Sequence, residues 1–124
     1  MRRAVTCLKC GGEFEASRSD AKSCKACHAK RRLAWQAANR ERINARYRTL
    51  RERVYAGYGG ACSCCGENRF EFLALDHVNG GGRKERKKLS TAQIARRAIK
   101  AGFPPKYRVL CHNCNSAIGW FGAC

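Results

Sequence analysis

Three polar residues stand out because nothing around them requires them. Asp76 and His77 are adjacent at the end of the apolar run Leu73-Ala74-Leu75, and Asn115 directly follows Cys114. A carboxylate and an amide oxygen are hard donors, suited to a cation that keeps several of its waters. A neutral imidazole beside them can take a proton from an attacking water. Taken singly, each has a plainer use: Asp76 can cap a turn, Asn115 can cap a helix, and His77 can stand in as a metal ligand. Together they point to a reaction site.

Cysteine is what would hold such a site in place. The chain has ten cysteines in 124 residues. Eight of them fall into Cys-x-x-Cys pairs: Cys7 with Cys10, Cys24 with Cys27, Cys62 with Cys65, and Cys111 with Cys114. Two such pairs can surround one Zn²⁺ with four thiolates and fix distant segments where apolar core is scarce. The expected cofactors are therefore two structural Zn²⁺ ions, one on Cys7, Cys10, Cys24 and Cys27, the other on Cys62, Cys65, Cys111 and Cys114. Cys64 competes with Cys65 on spacing, but the Cys-x-x-Cys-Gly pattern at Cys7 to Gly11 recurs at Cys62 to Gly66 and favours Cys65. Four thiolates leave no open coordination position, so both ions are expected to be structural.

The start Met1-Arg2-Arg3-Ala4-Val5 has no apolar stretch of the kind a signal peptide needs, which favours metal binding in the cytoplasm over a disulfide framework. No apolar run approaches the length of a membrane span. The net charge is +17, from 26 Lys and Arg against 9 acids. A balance that lopsided is usually neutralised by a polyanion, so nucleic acid is the expected partner.

The elements follow from punctuation and periodicity. Glu13 to Ala16 reads as one strand of an N-terminal ribbon spanning residues 1–28, and Gly11 suits the positive φ of a knuckle. Residues 29–57 read as one basic linking helix whose stripe of Leu33, Ala37, Ile43, Tyr47, Leu50 and Val54 packs on the protein itself. Arg42, Arg46 and Arg53 on its other faces are candidate phosphate contacts. In residues 58–124, Arg69 to Leu75 reads as a strand running into Asp76-His77. Asn79 to Lys88 reads as a flexible basic loop offering Arg83, Lys84 and Arg86 to nucleic acid. Ser90 or Thr91 caps a short helix that Gly102 stops, Tyr107 to Leu110 returns as a strand, and a last helix begins at Cys114.

Cys62-x-x-Cys65-Gly66, then Leu75-Asp76-His77 with a Gly-rich basic loop, then Val109-Leu110-Cys111-His112-Asn113-Cys114-Asn115 resembles the HNH (His-Me finger) endonucleases, of the zinc-containing recombination endonuclease VII-like or phage kind. The resemblance covers about the second half of the chain. It implies a small, zinc-stabilised α+β fold: a ββα-metal, treble-clef-like domain, preceded here by the basic helix and the N-terminal ribbon. It implies that Asp76 and Asn115 bind one catalytic divalent cation, Mg²⁺ or Mn²⁺, and that His77 is the general base for hydrolysis of a phosphodiester leaving a 5′-phosphate. For Asp76 and His77 to serve one phosphate, the strand must end irregularly, because adjacent strand side chains diverge. DNA, duplex or branched, is then the partner, and a homodimer is compatible with the sequence. A non-catalytic zinc-ribbon nucleic-acid-binding protein is the main rival, and a ribosome-associated protein a third reading. Neither needs Asp76, His77 and Asn115 together.

Overall fold

The computed structural model describes residues 3–124; Met1 and Arg2, at the start of the expected ribbon, lie outside them. The described chain is a small α+β protein with two two-stranded antiparallel sheets and five α-helices. It divides into two units, up to Ile43 and from Asn44 to Cys124, and the division falls inside a helix. Among the described residues no helix is long and apolar enough to cross a membrane.

In the first unit, β1 (Arg3–Thr6) pairs with β2 (Glu13–Ala16), with Val5 opposite Phe14. Residues 7–12 between them form a knuckle. Cys7 N–H bonds the Gly12 carbonyl at 2.9 Å, and Gly11, at φ 72°, turns its own N–H onto the Cys7 carbonyl at 2.9 Å. The first helix, α1 (Lys25–Ala38), starts directly at the second cysteine pair: Cys24 is its N-cap and its sulfur accepts the Cys27 N–H. Almost nothing apolar is buried here. Among the described residues of this unit Cys7 and Ala16 are buried, α1 contributes none, and Leu33 and Trp35 stand 59% and 55% exposed.

The expected single helix is two. Asn39 separates α1 from α2 (Arg40–Gly57). Its side-chain amide donates to the Trp35 carbonyl at 2.8 Å, and its backbone N–H caps the same turn. Asn is suited to this because its side chain competes for backbone groups that a continuous helix would use. The apolar stripe is also only half used. Leu50 and Val54 pack into the core of the second unit, whereas Leu33 and Tyr47 remain exposed.

The second unit has a core of its own. Val54 and Tyr55 from α2 meet Leu73 from β3 (Leu73–His77), Ile94, Ala95 and Ala98 from α4 (Thr91–Lys100), and Tyr107, Val109 and Leu110 from β4 (Tyr107–Cys111). Leu73, Leu110, Val54 and Val109 are fully buried, each worth about 1.5–3 kcal/mol. Tyr55 also gives its hydroxyl hydrogen to the Leu73 carbonyl at 3.0 Å. Helix α4 opens on a capping box between Ser90 and Gln93. It closes through Gly102 at φ 71° and Phe103, a non-glycine residue held at φ 62° by its bond to the Ala98 carbonyl. The Phe103 ring fills the space a side chain on Gly57 would need, which is why α2 ends on glycine.

Strands β3 and β4 pair antiparallel, Leu73 opposite Cys111, Asp76 opposite Arg108 and His77 opposite Tyr107. The final helix, α5 (His112–Phe121), packs against both strands, with Cys114 and Ile118 against the core. Three expectations shift. Phe70–Phe72 is a 3-10 turn, so the strand starts at Leu73 and includes Asp76 and His77. The last helix starts at His112 on a Cys111 cap. The basic stretch after the glycines is helix α3 (Gly82–Lys88), since the run beyond Gly82 consists of good helix formers and Leu89 anchors its end on the core.

Candidate functional site

The two cysteine quartets are brought together as the spacing requires. In each, the four sulfurs lie within 4.8 Å of one another. The Cys10–Cys24 sulfurs are 3.8 Å apart and the Cys65–Cys111 sulfurs 3.7 Å. A tetrahedron with Zn–S bonds of about 2.3 Å has edges of about 3.8 Å, so these spacings fit one ion in each. Hydrogen bonding within each quartet splits its thiols. Backbone amides of Cys24 and Lys9 bring Cys7 down to about 6, while hydrogen bonds with the sulfurs of Cys24 and Cys10 push Cys27 up to about 12. In the second quartet burial opposes ionisation of Cys62, yet backbone bonds from Cys65 and Cys111 bring it to about 6; the Cys111 sulfur pushes Cys114 to about 12. Four thiolates this close would repel one another, and a cation between them would relieve that repulsion, so each quartet could hold one metal ion. Cys64 lies outside the second quartet, disulfide-bonded to Cys124.

The second quartet sits at the base of the β3–β4–α5 assembly that carries the three candidate residues. Cys111 ends β4 and caps α5, Cys114 is in the first turn of α5, and Asn115 follows it, half-buried. Asp76 and His77 lie in regular ladder register rather than at an irregular strand end, so their side chains leave opposite faces of the strand. Each meets a different partner. Asp76 accepts a hydrogen bond from Arg108 Nε at 2.9 Å, using one carboxylate oxygen, both groups being part-buried. His77, whose side chain is 13% exposed, bonds through Nε2 to Glu85 on α3.

Glu85 was not singled out by the sequence, and it is the centre of this network. Its carboxylate also accepts the Tyr107 hydroxyl at 2.8 and 2.9 Å and Lys106 Nζ at 3.4 Å. The hydrogen bond with His77 holds the Glu85 carboxyl down at about 2 against the opposing effect of burial, with Tyr107 and Lys106 assisting. The Tyr107 ring meets the imidazole edge-on at 4.9 Å between centroids. The one available signal was that Glu85 is the sole acid in the basic block Arg83 to Lys88. His77 lines a cavity of about 380 Å³ together with Asn79, Lys84, Glu85, Lys88 and Lys106. Its rim is thus cationic. Lys84 is at this cavity, and Arg83 and Arg86 are exposed elsewhere on α3.

The cations of α2 divide by contact. Arg48 pairs with Glu52 and Glu71 and lies over Phe70; Arg51 bonds the Tyr55 hydroxyl and also lies over Phe70. These two are tied to the protein. Arg46 and Arg53 instead share a groove of about 390 Å³ with Arg96 of α4, a residue the sequence did not single out, and no acid lines it. Arg42 lies in the first unit, beside Arg40 and Glu41.

Comparison of the chain with protein-family models, with curated proteins and with solved structures finds no match.

Proposed function

We propose that the chain is a zinc-stabilised, divalent-cation-dependent DNA endonuclease, with one Zn²⁺ in each cysteine quartet. What carries this reading is a single juxtaposition. A helix starting at a cysteine quartet packs on a two-stranded ladder, and the ladder holds a part-buried His77–Glu85 pair at the wall of a lysine-rimmed cavity. Asp76 and Asn115 are donors of the right type for Mg²⁺ or Mn²⁺. Asp76 keeps one oxygen beyond its bond to Arg108, and no protein group bonds the Asn115 amide among the described residues. Such a cation, when bound, supplies charge neutralisation at a phosphate. The chain's own groups do the rest: Lys84, Lys88 and Lys106 attract the phosphodiester to the cavity, and His77 accepts the proton of the attacking water.

A second reading, a non-catalytic zinc-stabilised nucleic-acid-binding protein, is favoured by two observations: Asp76 and His77 leave opposite faces of β3 instead of turning to one phosphate, and both already have internal partners, Arg108 and Glu85. Incubating the zinc-loaded chain with supercoiled and branched DNA, with and without Mg²⁺ or Mn²⁺, separates the two. The nuclease reading expects cation-dependent cutting that His77→Ala reduces by about 100 to 10,000-fold while zinc content and DNA affinity persist. Binding without cutting by the wild-type protein leaves the second reading.

A further inference from the structure

We propose that Glu85 is a positioning residue that fixes the tautomer of His77, so that Nε2 carries the hydrogen and Nδ1 is the open lone pair of the site. The inference rests on the nuclease reading for its consequence, but not for its test. Glu85 is ionised at neutral pH, and an ionised carboxylate only accepts hydrogen bonds, so the Nε2 facing it must be the donor. The carboxylate is itself held in place by the Tyr107 hydroxyl, and the ring by the edge of the same tyrosine. His77 therefore has one conformation and one tautomer available.

Nδ1 is left without a hydrogen-bond partner, and no buried polar side-chain atom of the described chain lacks one, so Nδ1 is reached by solvent. Gly82 keeps it so. This residue opens α3 at an ordinary φ, so the backbone does not need glycine there. A Cβ at this position would lie 2.7 Å from Nδ1 and 3.1 Å from Cε1, inside contact distance of the ring. The pair Gly82 and Glu85, three apart on one helix, thus address the two nitrogens of one imidazole.

In the reaction, the water's O–H bond breaks and its proton goes to Nδ1, while the water oxygen forms the new bond to phosphorus. The bond from phosphorus to O3′ breaks, and the electron pair leaves with O3′, which takes a proton from solvent. The positive charge arising on the ring is met at Nε2 by the Glu85 carboxylate. Glutamine at 85 keeps an acceptor oxygen for Nε2–H, whereas alanine removes it.

The test uses the full zinc-loaded chain labelled with ¹⁵N in histidine, and reads His77 by two-bond ¹H–¹⁵N correlation at slightly basic pH. The wild type should show Nε2 protonated and Nδ1 bare as a single species. Glu85→Gln should keep that pattern, and Glu85→Ala should give a mixture of tautomers. In cleavage of DNA with Mg²⁺, Glu85→Ala should lower kcat by about 10 to 100-fold with KM unchanged, the usual cost of losing such a partner. Glu85→Gln should recover most of this, and Gly82→Ala should lower kcat while zinc content and fold persist. A hydrogen on Nδ1 of the wild type, or one unaltered tautomer in Glu85→Ala, overturns the assignment. A wild type that binds DNA but never cuts, with His77 in the expected tautomer, overturns the nuclease reading and leaves the assignment standing.

Discussion

The two cysteine quartets follow one plan and reach different ends. Each has a knuckle in which a glycine at positive φ follows the second cysteine, Gly11 at 72° and Gly66 at 80°, and returns its N–H to the carbonyl of the first. Each finishes at a helix N-terminus capped by the third cysteine, Cys24 or Cys111. They differ in what lies between. Residues 11–23 bridge the first quartet and hold one strand of a hairpin; residues 66–110 bridge the second and hold two strands, two helices and every residue of the cavity wall. The same cysteine frame therefore serves as an entire unit in one half, and as the clamp beneath a core and a candidate site in the other. A frame that closes a short loop has little to position, and one that closes a long loop carries the β3–β4 ladder and the His77–Glu85 pair.

That comparison can be broken by removing the metal. Chelation should unfold residues 3–43 completely, because structural zinc contributes roughly 10–16 kcal/mol of apparent binding energy in small sites and nothing apolar replaces it here. Amides of α4 and β4 should keep partial protection from hydrogen exchange, since Leu73, Val109 and Leu110 still bury together; equal loss of protection in both units would break it. Core truncation probes the reverse. Leu110→Ala should cost about 2–5 kcal/mol in denaturant unfolding of the second unit, and Leu33→Ala, on exposed α1, within about 0.5 kcal/mol.

Smaller effects sharpen the comparison. Replacing Arg46, Arg53 and Arg96 with Gln should flatten the salt dependence of DNA binding by up to about 0.9 log units per lost phosphate contact; replacing Arg48 and Arg51, which are tied to Glu52, Glu71 and Phe70, should leave the slope unchanged. The smallest effect concerns acid. Glu85 has its folded pKa depressed to about 2, so it binds protons less readily folded than unfolded. Its contribution is therefore present above the ordinary carboxylate range and lost as pH falls from about 4.5 to 2. The stability gap between the wild type and Glu85→Gln should close as pH falls over that interval.

Pairing of the cysteines was legible in the sequence because ligand spacing is a local property, and Gly11, Gly102 and Ser90 were legible because caps and knuckles impose specific φ values and acceptors. Glu85, Arg96 and Arg108 were not. Their roles depend on which element lies across from them, and that is decided by β3–β4 register and by α4 packing beside α2. The helix over Gly82–Lys88 was hidden by its own glycines, which read as a flexible loop although only Gly80 and Gly81 of that run take positive φ. The break at Asn39 escaped periodicity because apolar spacing barely registers a single residue that turns its amide inward.

The Cys64–Cys124 bond makes residues 64–124 a covalent ring that contains both strands, α3, α4 and α5. A protease that cuts this ring once, for instance in the exposed basic face of α3, opens a circle without producing a free fragment. The nicked chain would migrate as one species until a reductant is added and as two thereafter, which makes limited proteolysis on non-reducing and reducing gels a direct report on the integrity of the clasp beside the second quartet.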